Sequence, residues 1–105
     1  MGALLVKTDV DTIFAVHLDP DNPLESMARK MVAHYYNSII ENRIEAIKKM
    51  VKDYFIDGVI IFPNFGCRID CGGQRALQDV LYQQMGIPSL ILEGDFFGRP
   101  QLSIR

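Results

Sequence analysis

At 105 residues, 49% of them apolar and with a formal charge of −2, the chain has the size of one small domain that buries a modest core. A pI near 5.6 and scattered basic residues give no general attraction for phosphate backbones, so nucleic acid is not expected as a partner. Two cysteines are too few for a disulfide framework, and with neither a signal-peptide core nor a run of membrane-spanning length the sequence reads as cytoplasmic with no membrane partner.

In chain order, residues 3 to 6 suggest a short strand. Thr8, Asp9, Asp11 and Thr12 then bring turn chemistry, with a further short strand expected over Ile13 to Val16. Asp21-Asn22-Pro23 predicts a helix start, because Asn22 can cap and Pro23 sits at the first helical position, where its missing N–H costs nothing. Leu24, Met27, Ala28, Met31, Val32 and Tyr35 share one face, and the helix is expected to stop near Asn37. Ser38-Ile39-Ile40-Glu41 reads as a capping box, from which Ile40, Ile44, Ile47, Val51 and Tyr54 continue at helical spacing. Glu45 precedes Lys49 on the outer face at the spacing of a favourable ion pair. His34 reads as a helix-surface residue, and Tyr35, Tyr36 and the methionines as core.

After Asp57, Gly58-Val59-Ile60-Ile61-Phe62 is a continuous apolar run without alternation, the pattern of a strand covered on both faces. It stops at Pro63-Asn64-Phe65-Gly66-Cys67-Arg68, a polar loop that carries a thiol. A helix is predicted from about Gln74 to Met85, with Leu77, Val80 and Leu81 inward and Gly86 as its cap. Pro88 then opens a second strand, Ser89-Leu90-Ile91-Leu92, which stops at Glu93-Gly94-Asp95. The two strands are expected to run parallel in a right-handed βαβ unit, with both carboxyl ends facing one crevice where ligands gather. From Phe96 to Arg105 no pattern is evident.

Cys67 and Cys71 form C-x3-C, a spacing that lets two thiolates converge on one metal from a loop or helical turn; structural thiols are the equal alternative. Gly72-Gly73 before a helix reads as a tight loop, or as an anion or thioester site. Arg68 suits a phosphate, a carboxylate or an ordinary salt bridge. Glu93 and Asp95 suit acid–base work or hydrogen bonds to loop amides.

From Glu41 onward the chain resembles the 2-hydroxyacyl-CoA dehydratase and benzoyl-CoA reductase family, in its C-terminal domain. The resemblance is carried by Arg43, Asp57-Gly58-Val59-Ile60, Asn64, Cys67, Arg68, Gly73-Gln74, Gly86-Ile87-Pro88, Leu90 and Leu92-Glu93-Gly94-Asp95. It implies an α/β, Rossmann-like or flavodoxin-like three-layer lobe of a subunit that works beside a companion subunit. It also implies that each subunit holds an iron–sulfur cluster, usually [4Fe-4S], through three cysteines, of which Cys67 matches the last, and that an ATP-dependent activator protein supplies one electron. The implied reaction is radical dehydration of (R)-2-hydroxyacyl-CoA, with the cluster as Lewis acid. Phe65-Gly66, Ile69-Asp70 and Cys71 depart from the family pattern. The family's earlier cysteines and final helix have no counterpart here, so the expectation is a C-terminal fragment or truncated paralogue, inactive alone, with Cys67 as metal ligand and Cys71, Asn64, Arg68, Glu93 and Asp95 as auxiliaries. Rival readings are a noncatalytic interaction module, a benzoyl-CoA reductase-type subunit fragment, and a small metal-binding or redox domain built on the two thiols.

Overall fold

The computed structural model describes residues 2–10, 17–64, 66–94 and 103–104. They fall into two compact units, Met1–Tyr54 and Phe55–Arg105. No helix among the described residues is long and apolar enough to cross a membrane.

Among its described residues the first unit carries two helices, α1 (Pro23–Ala33) and α2 (Ile40–Asp53), with a 3-10 turn at Tyr35–Asn37 between them. Helix α1 starts where Asn22-Pro23 directs it, yet the Asn22 side chain does not cap it. Its Nδ2 donates instead to Asp19 Oδ2 at 3.1 Å. The helix ends earlier than the periodicity predicts, because His34 takes extended backbone at φ −69° and ψ 124°. None of its residues is buried, and the expected core positions Leu24, Met27, Met31 and Val32 are exposed.

The capping box ahead of α2 does not form. Ile39 is the N-cap and offers no side-chain bond, while Ser38 stands one position too early and its Oγ accepts from Asn42 Nδ2 instead. Ile44, Ile47 and Val51 are buried as the spacing predicts; Tyr54 follows the last helical turn and is exposed. On the outer face Glu45 pairs with Lys48 at 2.7 Å, and Lys49 lies 3.9 Å from Asp53, so the expected Glu45–Lys49 pair is replaced by its neighbours.

A polar cluster fastens the segment around Asp9 to this unit. The Tyr36 hydroxyl donates to Asp9 Oδ2 at 2.9 Å and the Tyr35 hydroxyl to the Asp9 carbonyl at 2.7 Å. Buried Arg43 sends Nη2 to Asp9 Oδ2 at 3.3 Å and to the Tyr36 hydroxyl at 3.2 Å. Its guanidinium also lies 4.6 Å from the Tyr36 ring centroid, a cation–π position. His34, expected on a helix surface, is half-buried and stacked on both tyrosines. Its Nδ1 accepts the Tyr36 N–H at 3.2 Å and so caps the 3-10 turn. Residues 3 to 6 form no strand, and Leu4 and Leu5 stay exposed: an apolar tetrad without a ladder partner has nothing to satisfy its backbone except water. The expected strand at Ile13 to Val16, with Asp11 and Thr12, lies outside the described residues.

Among its described residues the second unit is a βαβ unit with one further strand. Strand β1 (Val59–Ile61) leads through a one-turn helix, α3 (Arg68–Cys71), and then α4 (Gln74–Met85) to β2 (Ser89–Glu93); β3 is Ser103–Ile104. Strands β1 and β2 are parallel, in the register Val59–Ser89, Ile60–Leu90 and Ile61–Ile91, and Val59 N–H donates to the Pro88 carbonyl at 3.0 Å. Strand β3 pairs antiparallel to β2, giving the order β1-β2-β3. The patternless tail thus contains a pairing that no periodicity in a two-residue strand can announce.

Leu77 and Leu81 of α4 are buried together with Ile61 and Ile91, one face of helix against one face of sheet. Val80 is only half-buried. Gly86 closes α4 in the left-handed region, at φ 67°, its N–H bonding the Tyr82 carbonyl at 3.0 Å; a side chain there would be strained. Strand β1 is not covered on both faces as its sequence suggests: Ile61 is buried, whereas Ile60 is 64% exposed. The run has the composition of a doubly covered strand in a sheet where β1 is an edge among the described residues. The fold is α/β with a short two-strand parallel sheet.

Candidate functional site at the strand ends

Past Ile61 the chain runs through buried Pro63 to Asn64, which bridges Gly94 in parallel. The pairing of β1 with β2 therefore extends beyond both strands and sets the cysteine loop beside Glu93 and Gly94. This is the end of the sheet at which the sequence places a crevice.

Asn64 organises the loop. Its N–H donates to Asp70 Oδ2 at 3.1 Å, and its Oδ1 accepts the Gly66 N–H at 3.4 Å. Its carbonyl accepts two donors, the Cys67 N–H at 2.8 Å and the Cys71 Sγ–H at 3.1 Å. Cys67 is the N-cap of α3, with extended backbone at φ −103° and ψ 106°, and its carbonyl accepts the Cys71 N–H at 2.9 Å. Gln74 Nε2 reaches back to the Asp70 carbonyl at 3.0 Å, tying the turn to α4. Gly73, at φ 75° and ψ 4°, makes the left-handed step between the two helices, a conformation suited to glycine.

Neither cysteine is in a disulfide; Cys67 is half-buried and Cys71 exposed. Partial desolvation pushes the Cys71 thiol up from its ordinary value, and the negative charges of Asp70, Cys67 and Glu93 add to the effect. The residue as a whole faces water while its sulfur sits against the Asn64 carbonyl, an acceptor that favours the protonated thiol. Glu93, the last residue of β2, is half-buried. Arg68 opens α3 with an exposed side chain. Asp95 and Phe65 lie outside the described residues.

Of the site residues read from the sequence, Asn64, Cys67, Arg68, Cys71 and Glu93 all belong to this one end of the sheet. Asp70 was not among them, although it holds the loop through Asn64. An acidic residue one position before a cysteine carries no sequence signal of that role.

No group of three or more His, Cys, Asp or Glu side chains placed to hold a metal occurs among the described residues. The chain's entire cysteine complement is two, whereas a four-iron cluster is ordinarily held by four thiolates. These residues do not fit a whole cluster. Two thiols supply at most part of such a ligand set.

The family model of 2-hydroxyglutaryl-CoA dehydratase, D-component, matches residues 1–105. A benzoyl-CoA reductase subunit of Thauera aromatica is 27% identical over 77 residues, covering 73% of this chain and 18% of that protein. The alpha subunit of lactoyl-CoA dehydratase from Anaerotignum propionicum is 20% identical over 96 residues, covering 90% of this chain and 23% of that protein. The chain thus spans about a fifth of the length of these relatives. No solved structure matches it at a significant level.

Proposed function

The chain belongs to the 2-hydroxyglutaryl-CoA dehydratase D-component family, and we propose that it is the Rossmann-like, Cys67-bearing C-terminal lobe of a subunit that dehydrates 2-hydroxyacyl-CoA thioesters together with a companion subunit. The observation that carries this reading is the position of Cys67. It caps the turn that follows the Asn64–Gly94 bridge, at the carboxyl end of a parallel strand pair, in a chain matched by the family along its whole length. Parallel sheets bind their ligands at such ends.

In this reading Cys67 donates one thiolate to a [4Fe-4S] cluster whose other ligands come from outside these residues. When bound, such a cluster supplies one-electron chemistry and a Lewis-acidic iron. The chain's own residues hold the thiolate in place. Asn64 fixes the Cys67 N–H, Asp70 fixes Asn64, and Gln74 fixes Asp70. Arg68, exposed beside Cys67, is the group available to an anionic part of an acyl-CoA thioester.

Both relatives carry the names of subunits, one of a benzoyl-CoA reductase and one of a lactoyl-CoA dehydratase, which supports assembly with a companion. An ATP-dependent activator protein belongs to the same proposal, as does a cytoplasmic location. The test is anaerobic reconstitution of this chain with its companion subunit, iron and sulfide, followed by visible and EPR spectra and turnover of 2-hydroxyacyl-CoA with activator and ATP. The reading predicts cluster spectra and turnover in the assembly and neither from the chain alone. Turnover by the chain without a companion contradicts it.

One observation favours a second reading, that of a noncatalytic module which pairs with an intact subunit: α1 buries none of its residues, and Leu24 and Val32 are about four-fifths exposed. Under that reading the assembly forms but gains no iron from this chain.

A further inference from the structure

We infer that Cys67 and Cys71 form a reversible dithiol–disulfide couple, a redox switch on the same thiol that the proposed function assigns to ligation; its regulatory meaning rests on that reading. Neither thiol is in a disulfide. They stand one helical turn apart, joined by the Cys71 N–H to Cys67 carbonyl bond at 2.9 Å. One helical turn spaces the Cα atoms of such a pair about 6 Å apart, within the about 4.4–6.8 Å that disulfides span.

The turn that carries the pair is four residues long. Gly66 precedes it and Gly72-Gly73 follow it, and a Cβ at Gly66 would meet nothing within 4 Å. Cys67 is the N-cap with extended backbone rather than a helical residue, so its Cβ direction is not locked to the helix.

Oxidation proceeds by exchange with a low-molecular-weight disulfide. One protein thiolate attacks a sulfur of the small disulfide and releases the first small thiolate. The other protein thiolate attacks the protein sulfur of the mixed disulfide, forms the Cys67–Cys71 bond and expels the second. Two protein thiols are oxidised, the small disulfide is reduced to two thiols, and the two protons pass to the released thiolates. A dithiol reductant reverses both steps. In the oxidised state Cys67 has no thiolate to give to iron.

The test uses the full chain, stripped of metal by a chelator and equilibrated without oxygen against mixtures of reduced and oxidised glutathione. Acid quenching, alkylation and tryptic digestion follow. Arg68 lies between the two cysteines, so trypsin separates segments 53–68 and 69–75, and only a disulfide can join them. The expected result is that the monomeric chain loses both alkylatable thiols together, that the linked segments accumulate with oxidised glutathione, and that dithiothreitol abolishes them. Cys67→Ser and Cys71→Ser should each remove the link and leave a glutathione adduct on the remaining thiol, with unchanged circular dichroism. Independent glutathione adducts on both cysteines of the unsubstituted chain, thiols that stay reduced, or linkage confined to covalent dimers overturn the inference. The metal-free chain makes this outcome independent of iron: if the pair oxidises as expected while Cys67→Ser retains cluster in the assembly, the ligand assignment fails and the couple stands.

Discussion

Asn64 bridges Gly94 beyond the last residues of both parallel strands, so the cysteine loop leaves the sheet already fastened to the neighbouring strand. The same residue presents its carbonyl to both the Cys67 N–H and the Cys71 thiol. The geometry of the two sulfurs therefore depends on one backbone unit, which Asp70 clamps through the Asn64 N–H.

Asp70 has two separable effects, and substitution resolves them. Asp70→Asn keeps an acceptor for Asn64 but removes a negative charge that raises the Cys71 thiol, so more of that thiol ionises at a given pH. In a Cys67→Ser background, the pH midpoint of Cys71 alkylation should fall with Asp70→Asn. Asp70→Ala also loses the bond to Asn64 and should cost about 1 kcal/mol in urea unfolding. An unchanged midpoint in Asp70→Asn contradicts the electrostatic account of the loop.

Arg43 is 7% exposed and serves Asp9 and Tyr36 at once. Arg43→Met should destabilise the chain by about 2–3 kcal/mol, the scale of a lost hydrogen bond to a charged group, since it takes the guanidinium away from the Asp9 carboxylate. Adding Asp9→Asn should recover part of that loss. Denaturant unfolding of the two single variants and the double variant measures the coupling, and additive losses would show that the pair is not energetically linked.

Leu81 has no exposed surface, while its neighbour Tyr82 is 70% exposed. Leu81→Ala should cost about 2–5 kcal/mol, through lost burial and a residual cavity, and Tyr82→Ala within about 0.5 kcal/mol of zero. Equal losses at both positions would mean that α4 is not seated on the sheet by the face described.

Much of the second unit was legible in the sequence, because its signals are local and mutually consistent. Gly86 needs a left-handed step and Pro88 tolerates only a strand start. Leu77 and Leu81 recur at helical spacing, and the parallel pairing of β1 and β2 follows from those limits. The signals that misled were those whose meaning depends on a partner. Ser38-Ile39-Ile40-Glu41 has the letters of a capping box, but the helix begins one residue later than Ser38 can cap. The apolar residues of α1 have the spacing of a core face and bury nothing. His34 lies at a helix end rather than on its surface, because ring stacking with Tyr35 and Tyr36 is a tertiary choice. At the strand ends, the position of the cysteine loop was legible from the apolar run before it. The role of Asp70 was not, since a hydrogen bond to the Asn64 backbone leaves no trace in composition or period.

The most direct measurement for the central claim is iron content per assembly after anaerobic reconstitution with the companion subunit, compared between Cys67→Ser and Cys71→Ser. Cys67 is the N-cap of α3 past the carboxyl end of β1, whereas Cys71 is an exposed thiol engaged with the Asn64 carbonyl. The account predicts that Cys67→Ser loses iron and the cluster's visible absorption, while Cys71→Ser retains most of both. Full iron retention in Cys67→Ser, or equal loss from the two substitutions, would contradict the assignment of Cys67 as the single cluster ligand in this lobe.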